Sequence, residues 1–206
     1  MPTPMNPLGV VLAGGESRRF GRDKALAEVE GESLVRRAVD LLQRVCPEVV
    51  LADRGQGLVP GIRSVADGPG AGPGAGLLGV ANTFPKRPLL VLACDLPSVP
   101  VSLLRALVKA FDANGGEASW VPRPDTGAVQ RAEPLCACYR PQELAVLEQR
   151  LEAGDLALQG WLRDPRCRIR FLEGEDLLWH GEPQEVFFNL NRPQDLDRWS
   201  ASSKKN

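Results

Sequence analysis

A single histidine, His180, the lack of a basic excess and the lack of any long apolar run set the first limits on this chain. One histidine cannot complete a histidine-rich metal centre. The close pair Cys136 and Cys138 has no second Cys/His pair to answer it, so no zinc site is expected. The five cysteines are an odd number, spread thinly and mostly inside apolar runs, which argues against a disulfide framework and for reduced thiols in the cytoplasm. Lys and Arg total 25 against 26 Asp and Glu, a net charge of −1. A general binder of nucleic acid or anionic membrane needs a basic excess, so neither partner is expected and any phosphate chemistry must come from a local cluster. No apolar stretch approaches the ~20 residues of a membrane span, and the opening MPTPMNP has neither the basic nor the apolar region of a secretory signal. What is present, 206 residues with 43% hydrophobic and 25% charged, is ordinary globular composition and sufficient for one domain with its own core.

The run 8–13 is continuous, apolar and followed by glycines, the pattern of a buried parallel strand feeding a tight loop. Residues 33–45 carry apolar side chains at 34, 35, 38, 39, 41, 42 and 45, a helical spacing. Strand-like runs follow at 48–52 and 62–66, then a helix expected over 76–83. The strongest strand pattern is 88–94, and 101–113 is an amphipathic helix. This alternation is the order of an α/β sheet, mostly parallel, with crossover helices on both faces. Beyond about residue 115 the pattern loosens: a strand is expected at 135–139, a helix opened by proline at 141–153 and a half-buried strand at 167–172. The tail 200–206 is small and polar and is expected to fray. The Gly/Pro stretch 68–76 has the composition of a linker, but it lies between two strand–helix units of one sheet and reads as a site loop.

In open α/β sheets, ligands bind at the carboxyl ends of the strands, and three such ends carry unusual residues. After the first strand, residues 12–24 hold Arg18, Arg19, Arg22 and Lys24 against Glu16 and Asp23, locally +2, with glycines at 14, 15 and 21 that let backbone amides approach an oxyanion. A glycine turn with a solvated basic face would read the same way. Lys24 lacks the Gly-Lys-Ser/Thr adjacency of a Walker A loop. The stretch 74–79 matches the dinucleotide fingerprint letter by letter but does not follow the first strand. Asp95, just past the strongest strand and before Pro97, is placed to hold magnesium on bridging phosphates, although a turn aspartate is equally common there. Asp67 occupies the same position after 62–66. Three such residues at successive strand ends of one sheet outweigh any one alone.

The loop Leu12-Ala13-Gly14-Gly15-x-Ser17-x-Arg19-Phe20-Gly21-x-Asp23-Lys24 closely resembles the signature of molybdenum cofactor guanylyltransferases, with Phe20 where methionine is usual. Residues 72–77 resemble that family's guanine-side loop, Cys94-Asp95-Leu96-Pro97 its magnesium motif, 133–139 its Pro-Leu strand and 188–193 its Asn-x-Asn-Thr-Pro segment, with Arg192 in place of threonine. The resemblance runs from about residue 8 to 199 and implies a single nucleotidyltransferase domain over 1–199. Its implied architecture is a three-layer α/β/α sandwich, with the mostly parallel, Rossmann-like fold of nucleoside-diphospho-sugar transferases. The implied reaction transfers GMP from GTP to the phosphate of molybdopterin, with Mg2+, releasing pyrophosphate, in the cytoplasm. Recipient molybdoenzymes, their chaperones or cofactor-insertion proteins are the implied downstream partners. By resemblance, the amides of Leu12, Ala13, Gly14 and Gly15, with Arg19 and Lys24, cradle the triphosphate. Lys24 stabilises charge on the α-phosphate, Asp95 holds Mg2+, and Asp67, Pro73, Gly76 and Leu77 read the nucleoside. Asn189 and Asn191 lie on the pterin side.

Two positions depart from the family. Ala52, followed by Asp53, stands where asparagine is frequent, and Gly154-Asp155-Leu156-Ala157 lacks a basic pair that Arg163, Arg166, Arg168 and Arg170 would have to replace. His180 has no evident Asp or Ser partner and reads as a loop histidine. Trp120, Trp161, Trp179 and Trp199 read as core or helix anchors. Two other functions remain open: a sister cytidylyltransferase using CTP or another phosphorylated acceptor, and a non-catalytic carrier of nucleotide or cofactor. The Gly14-Gly15 pair favours GTP, since the resembling cytidylyl enzymes usually have Ala-Gly there.

Overall fold

Residues 6–14, 24–124, 131–192, 194–196 and 199 are described by a computed structural model. Gly15, Arg19 and the tail 200–206 lie outside the described residues. β1 (Leu8–Leu12) is buried at every position. A short 3₁₀ turn at Lys24–Leu26 leads to a hairpin of β2 (Glu28–Val29) and β3 (Glu32–Ser33). Glu30 and Gly31 both take positive φ in its two-residue turn, the geometry that matches strand twist. The Ser33 hydroxyl then caps α1 (Leu34–Gln43) by accepting from the Arg36 amide, and α1 buries Leu34, Val35, Ala38, Val39 and Leu42 on one stripe. β4 (Val49–Ala52), β5 (Arg63–Val65), α2 (Gly72–Thr83), β6 (Leu89–Ala93) and α3 (Val101–Ala113) complete the alternating half.

β7 (Ser119–Pro122), β8 (Cys136–Tyr139), α4 (Pro141–Glu152), α5 (Leu158–Leu162), β9 (Ile169–Leu172), α6 (Glu175–Leu178) and α7 (Pro183–Val186) follow. The seven-stranded sheet has the order β5-β4-β1-β6-β8-β7-β9 and is parallel except where β8 runs antiparallel to β6 and β7. α1 and α3 pack together on one face, α2 and α4 on the other, giving the α/β/α layers. Because β4 lies on one side of β1 and β6 on the other, connections reverse direction at β1, and a crevice opens at the carboxyl ends of β1 and β6.

Three local expectations change. α2 begins at Gly72 rather than 76, because Pro73 fits the first helical turn, where no intrahelical N–H bond is lost. The stretch 68–76 is therefore four loop residues and a helix start. Strand β7 is not visible in the hydropathy pattern, because its buried Ser119 hydroxyl donates to Glu143 of α4 (3.0 Å). Glu143, itself fully buried, also takes Arg140 Nε (2.7 Å) and the Arg168 amide (2.9 Å), so the carboxylate is satisfied. Trp161 and Trp199 are buried and Trp120 half-buried, but Trp179 is 85% exposed and anchors nothing within the described residues. Cys46, Cys94, Cys136 and Cys138 are buried thiols outside any disulfide, and burial pushes Cys46 up to about 12.

Candidate active site

The crevice at β1 and β6 gathers three residues from distant parts of the chain. Lys24 Nζ donates to Asp95 Oδ2 at 2.8 Å and to Asn191 Oδ1 at 3.3 Å. Asp95 stands two residues past β6, and the Leu190 amide donates to its carbonyl at 3.0 Å, which ties the C-terminal segment to the loop. The other Asp95 oxygen, Oδ1, is buried without a hydrogen-bond partner among the described residues, and so is Asn189 Oδ1. An orphaned buried carboxylate oxygen costs free energy unless a ligand satisfies it. These donors are hard oxygens, which suit Mg2+. No group of three or more His, Cys, Asp or Glu side chains that could hold a metal occurs among the described residues. One carboxylate with amide oxygens matches a cation that keeps several waters and shares substrate phosphates.

Two residues at this site are not singled out by sequence. β6 and β8 leave the ladder in turns here, the Leu96 amide donating to the Ala93 carbonyl (3.2 Å) and the Cys136 amide to the Glu133 carbonyl (3.3 Å), and these turns leave Glu133 within electrostatic reach of Asp95. Burial first, then the Asp95 charge, push the Glu133 carboxyl up to about 7, while the Leu135 amide and Arg131 pull the other way. Half-protonated near neutral pH, this acid adds only about half a negative charge near Asp95. The second residue is Arg54, one past Asp53, with φ 61. A side chain built at Gly14 would have its Cβ 3.2 Å from Arg54 Cγ, so the missing side chain at 14 gives the arginine its place. Its Nε lies 3.7 Å from Asp67 Oδ2. Burial, the largest effect, raises the Asp67 carboxyl, and Arg54 opposes it. Sequence offers one signal for each: an acid immediately before a strand-leading proline, and a cation two residues past a strand end.

A clamp holds the Asp95 loop from behind. Arg37 Nε donates to the Pro97 carbonyl (3.2 Å) while its guanidinium lies 5.3 Å from the Trp199 ring centre, and Trp199 Nε1 donates to Ser98 Oγ (2.6 Å).

Several expectations for the nucleotide side need correction. The amides of Ala13 and Gly14 both donate to the Ala52 carbonyl (3.0 and 3.1 Å), and Leu12 is paired on both sides in the sheet. Those donors are committed to the fold, and the remaining residues of the expected cradle, Gly15 and Arg19, lie outside the described residues. Leu77 is fully buried in the core, so its side chain cannot read a ligand. Gly76 instead forms wall: a Cβ there would meet Leu12 Cδ2 at 3.1 Å and Asp67 Oδ1 at 3.6 Å. Pro73 is exposed in the first turn of α2. Gly79 of the apparent dinucleotide fingerprint packs on β5, where a Cβ would sit 2.0 Å from the Ala66 carbonyl oxygen. Asp53 is fully buried and accepts from the Leu58 amide (2.9 Å) and the Ser64 hydroxyl, so it closes the β4–β5 connection. Arg166 is held by Asp164 (2.8 Å) and Arg168 by Glu117 (3.3 Å), with Arg170 on the edge strand β9. His180 does have a serine partner: Nδ1 lies 3.0 Å from Ser102 Oγ on α3.

The MobA-like NTP transferase domain, as a family model, matches residues 9–168. A probable molybdenum cofactor guanylyltransferase of Pelotomaculum thermopropionicum is 35% identical over 91% of this chain and 89% of its own. The crystal structure of molybdopterin-guanine dinucleotide biosynthesis protein A from Archaeoglobus fulgidus is similar with a TM-score of 0.76 and 25% identity, covering 97% of this chain and all of that one. A cytidylyltransferase for 2-C-methyl-D-erythritol 4-phosphate from Thermus thermophilus, 19% identical with a TM-score of 0.63 over 95% of this chain and 98% of that one, shares the fold.

Proposed function

This chain belongs to the MobA-like NTP transferase family and is a nucleotidyltransferase, and from that premise we propose that it attaches GMP from GTP to the phosphate of molybdopterin, releasing pyrophosphate. The observation that carries the reading is the meeting of Lys24, Asp95 and Asn191, separated by 71 and 167 positions in sequence, at the crevice between β1 and β6.

In the proposed reaction an oxygen of the acceptor phosphate attacks the α-phosphorus of GTP. One P–O bond forms, the bond to the β-phosphate breaks, and pyrophosphate leaves with the electron pair. The acceptor is already ionised, so no side chain need remove a proton, and positioning with charge stabilisation carries the step. Lys24 Nζ, now shared by Asp95 and Asn191, would turn a donor toward a non-bridging α-oxygen as charge gathers there. Asp95 Oδ1, with the amide oxygen of Asn191 or Asn189, would hold Mg2+, which would supply neutralisation of phosphate charge. Arg54 and Asp67 flank the nucleoside side of β1, and Asn189 the acceptor side. The clamp of Arg37 and Trp199 keeps the Asp95 loop in register.

Pyrophosphate release with Mg2+ and molybdopterin, compared for GTP and CTP, tests the reading. GTP-dependent release is expected. CTP-dependent release would move the protein to the cytidylyl branch, and nucleotide binding without release would make it a carrier.

A further inference from the structure

The outward stripe of α3 is formed by Ser102, Arg105, Lys109 and Ala113, all exposed and three or four residues apart. Its two ends differ in character. At the N-terminal end, His180 rests on Ser102 and introduces Trp179, 85% exposed, and Leu178, 51% exposed. The segment 174–187 around them carries four acids, Glu175, Asp176, Glu182 and Glu185, and no Lys or Arg, while Glu173 just before it is paired with Arg123 (2.5 Å). Toward the other end, an open cleft of about 510 Å³ lies between α1 and α3, with Arg44, Arg105 and Lys109 at its walls and Val45, Val108 and Ala113 supplying apolar surface. Asp112 also lines it, leaving the cleft at +2. An apolar knob with an acidic surround and an apolar cleft with a basic surround thus sit on one face, ~10 Å apart along the helix.

Such a face is complementary to itself when turned over. A twofold axis across the middle of α3 sets two copies of the helix antiparallel, so that each knob meets the other copy's cleft and both contacts form twice. We propose that this face is a twofold interface between two copies of this chain, in which Trp179 and its acidic neighbours on one copy seat in the Arg44, Arg105 and Lys109 cleft of the other. The volume is ample for an indole, and the opposed charges favour this pairing over like-end contacts. A large exposed tryptophan is otherwise costly surface and a frequent interface anchor. The interface leaves the crevice at β1 and β6 uncovered, since the contacts lie on the outer surface of α3 and α1.

Sedimentation velocity on the purified full chain, at rising concentration in low and high salt, tests this. A dimer that weakens with salt is expected. Trp179→Ala and Arg105→Glu should each weaken it ~10-fold or more, with the melting temperature of the dilute monomer unchanged because both side chains are exposed. Arg105→Glu combined with Asp176→Arg should restore much of the lost affinity. A chain that stays monomeric throughout, including one that captures a different protein through Trp179, overturns the proposal. So does a dimer indifferent to both substitutions, or an open-ended polymer in place of a closed pair.

Discussion

Replacing Glu133 by Gln should make the protein more stable at alkaline pH and leave it nearly unchanged in acid. In the unfolded chain a glutamate loses its proton near 4.5, whereas the folded environment holds this one up to about 7. Between those values the folded state binds more protons than the unfolded state, so stability falls as pH rises through the window and the loss is complete above it. A tenfold difference in proton affinity between the two states is worth ~1.4 kcal/mol, and the interval from 4.5 to about 7 amounts to ~3 kcal/mol of stability withheld from the wild type at pH 8. Glutamine keeps the shape and cannot ionise, so the variant should recover most of that amount, ~6–12 °C in melting temperature for a chain of this size. Urea unfolding of wild type and variant at pH 4.5, 6 and 8, followed by tryptophan fluorescence, reads the difference directly, and the other titrating groups cancel in the comparison. Asp95→Asn should reduce the effect without abolishing it, because burial is the larger cause and the Asp95 charge the smaller. A difference between variant and wild type that stays flat across this range would refute the placement of Glu133.

Lys24→Ala should lower turnover by ~10²-fold or more, as for loss of a preorganised charge contact to the reacting phosphate; steady-state rates near wild type would remove Lys24 from the chemistry. Gly79→Ala should destabilise by ~3 kcal/mol in thermal melts, because the added methyl meets the Ala66 carbonyl. At an open helix position the same change stabilises by about 1 kcal/mol, so the sign alone decides. Trp199→Ala, emptying a buried ring site, should cost ~3–5 kcal/mol, while Trp199→Phe keeps a ring near Arg37 but loses the bond to Ser98 and some buried volume, ~1–3 kcal/mol. If positioning of the Asp95 loop is the role, Trp199→Phe should also raise the Mg2+ concentration needed for half-maximal rate.

Much of the alternating half was legible in the chain itself, because its strands are uninterrupted apolar runs and its helices repeat at helical spacing. β1, α1, β4, β6 and α3 follow from local pattern, and so do the strand ends where Asp67 and Asp95 stand. The later strands carry weaker signals, since β7 buries a serine whose hydroxyl is satisfied by Glu143 and the Arg140 amide, 24 and 21 residues away. Composition also misjudged the start of α2, where glycine and proline are the ordinary residues of a helix entry rather than a loop.

Residue types and spacing determined that this is an α/β protein with polar chemistry at successive strand ends, because burial and periodicity are local properties of a chain. Only the tertiary structure decided which of those residues meet. The reversal of connections at β1 brings Lys24 against Asp95, and the returning C-terminal segment brings Asn191 to both. The turn that leads into the antiparallel β8 brings Glu133 within electrostatic reach of Asp95, and burial together with that charge raises its carboxyl. Close packing commits the Ala13 and Gly14 amides to Ala52 and seals Leu77 in the core, while the outer face of α3 leaves Trp179 in solvent. These are contacts between segments tens of residues apart, and their energies depend on distance and dielectric in the folded state, which no local pattern contains.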